Sequence, residues 1–161
     1  MKTILSVTLS LILIALAAAP ARAHCEIPCG IYGDKLRAQL LEEHILTVEK
    51  SMQQITELSA APGDKNYHQL VRWIDNKEQH ADEIQEIVSQ YFLTQRIKPA
   101  DTTDKAKYDL YIRQLTLLHQ MLIQAMKAKQ GTDLKTVESL RQLLADFNKA
   151  YFGEEEKAHT H

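Results

Sequence analysis

Between residues 34 and 152, proline and glycine occur at only three places: Pro62-Gly63, Pro99 and Gly131. A chain so rarely interrupted, and rich in Leu, Ala, Gln, Glu and Lys, is composed to form long helices. The apolar residues keep the matching period. Leu41, Ile45, Val48, Met52 and Ile55 step by four, three, four and three along a first helix. Asp34 is placed to cap that helix, and Ala61-Pro62-Gly63 ends it. A second helix starts near Asp64 and stops before Lys98-Pro99, because the residue preceding proline disfavours the α region. Its stripe is Leu70, Ile74, Ala81, Ile84, Val88 and Tyr91. Thr102 or Thr103 opens a third, with Tyr108, Tyr111, Leu115, Leu118, Leu122 and Ala125, ending at Gly131. Thr132 or Asp133 opens a fourth, with Val137, Leu140, Leu144, Phe147 and Tyr151, closed by Gly153. One apolar seam per helix and short connections predict an all-α, up-down-up-down antiparallel four-helix bundle over residues 34–153. No strand pattern competes.

A bundle does not name a function. Carboxylate-bridged di-iron bundles need repeated Glu-x-x-His pairs. Here Glu156 and His159 form one such pair, in the polar tail of residues 154–161. The Cys-x-x-Cys-His of haem attachment is absent. Chemistry must come from elsewhere, and the two cysteines both lie ahead of the first helix.

Residues 1–23, MKTILSVTLSLILIALAAAPARA, have the layout of a secretory signal peptide: a Lys near the start, an apolar run, and small residues at Ala21 and Ala23. Cleavage after Ala23 leaves 138 residues, enough for one domain. The leader carries Lys2 and Arg22 and no acid, so its removal takes the formal charge from −2 to −4. That balance argues against nucleic acid as a partner. Nothing after residue 23 is apolar enough to cross a bilayer. The expected location is outside the inner membrane, periplasmic or secreted; the alternative is a cytoplasmic protein whose leader acts as a propeptide.

Cleavage makes His24 the first residue of a short hook, residues 24–33, reading HCEIPCGIYG. The new α-amine titrates at about 7.7–8.0 when unperturbed, so a metal can displace its proton near neutral pH. The amine and the backbone nitrogen of Cys25 close one five-membered chelate ring on a metal. The Cys25 thiolate closes a second, and Cys29 can fold back as a fourth donor. Pro28 fixes its own φ, and Gly30 allows backbone angles closed to other residues, so the linker suits a tight turn. Two nitrogens and two sulfurs in a plane suit Ni(II) or Cu(II). The His24 imidazole is left to approach as an axial donor. An amidate and two thiolates stabilise a higher oxidation state, which makes the site a one-electron catalyst. Two other readings stay open from these residues alone: a Cys25–Cys29 disulfide, the usual fate of paired cysteines in exported chains, and an exported nickel- or copper-binding protein without turnover.

At these positions the sequence resembles the nickel superoxide dismutases, whose processed N-terminus reads His-Cys-x-x-Pro-Cys-Gly-x-Tyr. His24, Cys25, Pro28, Cys29, Gly30 and Tyr32 match every fixed position. KEQHADE (Lys77–Glu83) and YFLTQRIKP (Tyr91–Pro99) also resemble the second helix of that family. The resemblance implies that two superoxide anions and two protons give oxygen and hydrogen peroxide, with nickel alternating between Ni(II) and Ni(III). It implies one nickel ion per subunit, held by His24 through its amine and axial imidazole, by Cys25 through its backbone nitrogen and thiolate, and by Cys29. Tyr32 would stand at the mouth of the site, with Pro28 and Gly30 shaping the hook. A homohexamer is also implied. Two features depart from the family. The leader looks like a general export signal. Where some members hold the axial histidine with a second-helix Arg and a first-helix Glu, this chain has His80, and Gln39 and Leu40 followed by Glu42 and Glu43 a turn on. Read alone, His80 is a surface histidine, as are His68 and His119. Lys35 and Arg37, just after the hook, would attract the anion.

Overall fold

The computed structural model describes residues 33–61 and 63–153. The leader, hook residues 24–32 and the tail 154–161 lie outside the described residues. Among the described residues there are four helices and no strand: α1 (Asp34–Ala60), α2 (Asp64–Glu86), α3 (Lys105–Gln130) and α4 (Leu134–Phe152). A π-helical segment, Ile87–Arg96, continues α2.

Each helix packs on its neighbour in the chain, and α4 packs on α1 to close the ring. The end contacts fix the directions. Asp34, first in α1, meets Tyr91 beyond the end of α2 and Tyr151 in the last turn of α4. Asp82 of α2 pairs with Lys129 at the end of α3, and Glu49 of α1 pairs with Arg141 of α4. Neighbours therefore run antiparallel. The expected seams form the core: Leu41, Ile45, Val48, Ile84, Val88, Leu118, Val137, Leu140 and Phe147 are fully buried. No described helix is long and apolar enough to cross a membrane.

The structure corrects the expected stripe of α2. Ile74 is 41 % exposed and Leu70 only half-buried, with Tyr67 and Val71 also open to solvent. The cause is length. The last carbonyls of α3 lie beside Lys77, so the first turns of α2 extend past the end of α3. At that level Lys77 is 4 % exposed. Its Nζ donates to the carbonyls of Ala128, Lys129 and Gly131 at 2.8, 2.7 and 3.2 Å, and pairs with Glu78 at 3.2 Å. The last carbonyls of a helix have no partner within it and carry the negative end of its dipole. An ammonium answers both needs.

The caps differ from expectation at two helix starts. Gly33 occupies the cap position of α1, and Asp34 makes no capping bond. Its carboxylate is engaged by other helices instead. Asp104, not Thr102 or Thr103, caps α3 by accepting from the Lys107 N–H. Thr103 is occupied one turn earlier, donating through N–H and Oγ1 to Asp101 at 2.8 Å each. Of the two candidates for α4, Asp133 is the cap, accepting from the Lys135 N–H. Gly153 closes α4 at φ 88°, a left-handed angle that favours glycine.

Candidate metal centre

The sequence-derived ligands His24, Cys25 and Cys29, with Pro28, Gly30 and Tyr32, lie outside the described residues. What the structure describes is their attachment point. Gly33 is exposed and extended at the start of α1 (φ −83°, ψ 132°), and Asp34 follows it into the helix.

Asp34 is the centre of a polar cluster at this end of the bundle. Tyr91 donates its phenol hydrogen to Oδ1 at 2.5 Å, and Tyr151 donates to Oδ2 at 2.8 Å. The Arg96 Nε lies 2.8 Å from Oδ1, and its other guanidinium arm donates to the Tyr91 hydroxyl at 2.8 Å. The guanidinium groups of Arg37 and Arg96 lie 5.3 and 4.9 Å from the Tyr91 ring centre. Burial acts to raise the Asp34 carboxyl, but the two phenols and Arg96 outweigh it and hold its pKa below the usual carboxylate value. Burial, then the Asp34 carboxylate, pushes both tyrosines upward. Asp34 is thus ionised and both phenols protonated at neutral pH.

The π-helical segment makes this cluster possible. Residues five apart in an α-helix lie about 140° apart around the axis. Wider turns bring Tyr91 and Arg96 onto one face, and the Ile97 N–H donates to the Phe92 carbonyl, five residues back, at 2.9 Å. Single π turns are frequent at functional sites. Sequence reasoning read Tyr91 and Tyr151 as core and missed Arg96. The available signal was the phenol: a buried tyrosine hydroxyl needs a partner, and in an up-down bundle Asp34, Tyr91 and Tyr151 all fall at one end. Arg37, expected as an attracting charge, is half-buried over the Tyr91 ring.

His80 is not a plain surface histidine. Its Nδ1 lies 2.8 Å from the Nδ1 of His44 on α1, and both residues are half-buried. The ring centres are 5.0 Å apart, so the two nitrogens sit almost on the line joining them. One N–H therefore points at the other's lone pair, and the two do not converge on a third atom. His44 was not singled out from sequence, although both histidines stand eighteen residues from Pro62, level across an antiparallel hairpin. His68 and His119 are exposed, as expected. Gln39, Glu42 and Glu43 are exposed and Leu40 half-buried.

Burial first, and then the charge of His80, lowers the His44 pKa from 6.5; Glu83 of α2 and Glu43 of α1 act in the opposite direction. Below pH 6.5 the His44 site then binds more protons in the unfolded chain than in the folded one. The contribution of His44 to stability is complete above that value and is lost as pH falls through its folded-state pKa. The expected outcome is a melting midpoint that drops between about pH 7 and 5, with the drop smaller in His44→Gln. Equal drops in both proteins, followed by circular dichroism, would remove the pair as the cause.

Among the described residues no group of three or more His, Cys, Asp or Glu is placed to hold a metal ion. No curated protein and no solved structure matches the chain. Residues 19–155 match the family described as nickel-containing superoxide dismutase, a span that takes in the hook, the four helices and the Asp34 cluster. Since that match covers most of the chain, the protein belongs to the nickel-containing superoxide dismutase family and is an oxidoreductase acting on superoxide.

Proposed function

We propose that the chain is exported, cut after Ala23, and disproportionates superoxide at nickel bound by its new N-terminus. The residues that would hold the metal are His24, through its α-amine and imidazole, Cys25, through its backbone nitrogen and thiolate, and Cys29, through its thiolate. One ion is held per chain. The observation that carries this reading is the complete His-Cys-x-x-Pro-Cys-Gly-x-Tyr motif, from His24 to Tyr32, inside the family match of residues 19–155.

The donor set fits the metal. Amine, amidate and two thiolates are strong donors whose chelate rings favour a plane, and square-planar geometry points to Ni(II) or Cu(II). When bound, nickel supplies a one-electron couple between Ni(II) and Ni(III). The rest falls to the chain's own residues. Pro28 and Gly30 would shape the hook, and the Tyr32 hydroxyl would order water and limit access to the site. Lys35, exposed in the first turn of α1, adds a local attraction for the anion. Because superoxide crosses membranes poorly, an exported enzyme acts on superoxide formed on its own side. A hexamer of bundles would add cover to a hook too short to shield its own metal.

The test is made on native protein purified from its source. N-terminal sequencing should begin at His24, metal analysis should give one nickel per chain, light scattering should give six chains, and superoxide should decay catalytically. A start at another residue would remove the amine donor. Stoichiometric uptake of metal without turnover would fit a carrier instead.

A further inference from the structure

Asp34 is five residues beyond Cys29 and two beyond Tyr32. A trans chain advances at most about 3.3–3.6 Å per residue, so five residues can span no more than about 18 Å, and the proposed Cys29 ligand is tethered within that reach of wherever Asp34 is held. We propose that Asp34, Tyr91, Arg96 and Tyr151 form a clamp that sets the position of the metal-binding segment on the bundle, with Asp34 and Tyr151 as positioning residues for the nickel reaction. The inference rests on the assignment of nickel to His24, Cys25 and Cys29.

Three observations carry it. First, Asp34 is the first residue of α1, just inside the Gly33 cap position, and both its carboxylate oxygens go to groups from elsewhere: Tyr91 and Arg96 on Oδ1, Tyr151 on Oδ2. The result is a cross-link among α1, α4 and the continuation of α2. Second, one of these elements departs from α geometry over ten residues, and that departure brings Tyr91 and Arg96 to the same carboxylate. Third, the phenols approach from two helices, each at hydrogen-bond distance, so sideways movement of the first turn of α1 lengthens at least one bond. Holding a charged group by donors on rigid elements is how outer partners orient metal ligands. Here the orientation is passed through the backbone, from Asp34 through Gly33 to the hook.

The experiment compares processed, nickel-loaded parent protein with Asp34→Asn and Tyr151→Phe, and with Val137→Ala as a control. Val137 is fully buried in α4 and is outside the cluster. Readouts are nickel release into a coloured chelator, the electron paramagnetic resonance of the oxidised form, and kcat against KM. Asp34→Asn and Tyr151→Phe are expected to release nickel about tenfold faster, the lower end of what outer partners of metal ligands contribute. They should also broaden the resonance into more than one species and lower kcat with little change in KM. Val137→Ala should lower the melting temperature while leaving release rate and resonance as in the parent. If the two clamp variants behave like Val137→Ala, the cluster is structural only and the clamp is overturned. If the parent itself lacks sulfur-to-nickel charge-transfer absorption, the ligand assignment fails and the clamp falls with it.

Discussion

A processed chain carrying one extra residue ahead of His24 is expected to lose superoxide turnover by at least about a hundredfold, a loss that even groups one step removed from a metal can reach. The added residue turns the His24 amine into a backbone amide. A free α-amine titrates at about 7.7–8.0 and is readily freed for a metal; a backbone amide holds its hydrogen far more tightly. In the proposed site the amine nitrogen would then be lost as a donor, and the His24 imidazole would no longer be attached to a terminal ligand. Cys25 and Cys29 remain, so a nickel-loaded extended chain should show altered sulfur absorption, and its nickel content should fall. Stopped-flow decay of superoxide and metal analysis, with intact mass confirming the added residue, check the outcome. Undiminished turnover by the extended chain would refute a terminal site. Because the described helices begin at Asp34, ten residues beyond His24, the helical signal in circular dichroism should not change.

The second large effect concerns the fold. Phe92 is fully buried and meets three aromatic rings edge-on: Tyr91 at 5.2 Å, Phe147 at 4.9 Å and Tyr151 at 5.6 Å between centres. Phe92→Ala is expected to destabilise the bundle by about 3–5 kcal/mol, from lost transfer energy and the remaining cavity. Edge-to-face partners are worth about 0.5–1.5 kcal/mol each beyond area, which favours the upper half of that range. A domain has only about 5–15 kcal/mol in total, so the variant should unfold at a much lower urea midpoint. An unchanged slope would show that the denatured state is not the cause. A loss under about 1 kcal/mol would mean that the site collapses around the missing ring. The same cluster supports Tyr91 and Tyr151, so Phe92→Ala should also loosen the grip on Asp34.

The four-helix outline was legible because helix breaking and apolar periodicity are local properties. Pro62-Gly63, Pro99 and Gly131 bound the elements within a few residues of where they end. Leu41, Ile45, Val48 and Met52 declared the buried face of α1 by spacing alone. What failed depended on neighbours that no local window contains. Ile74 fits the period of α2, but α3 stops before reaching it. Asp34 has the right identity for a cap but falls one residue late: Gly33 takes the cap position, and two phenols and a guanidinium from distant positions hold the carboxylate. Thr103 was a sound choice until Asp101 engaged it. The candidate ligands were legible for the opposite reason: His24, Cys25 and Cys29 form a chemical unit within six residues, and their argument needs no fold. His44 and His80 needed the hairpin first.

The hydrogen bonds that Lys77 donates at the end of α3 all go to main-chain carbonyl oxygens, those of Ala128, Lys129 and, just past the helix, Gly131. Every amino acid presents the same oxygen. At this one joint the lysine therefore specifies a path for the main chain and is indifferent to the letters written along it. An exchange at Lys129 breaks that residue's own pair with Asp82 but leaves the three Lys77 bonds in place so long as the carbonyls stay put. A single change at Lys77 removes all three bonds at once, and the docking of the two halves then falls to the side-chain pairs and the shared core.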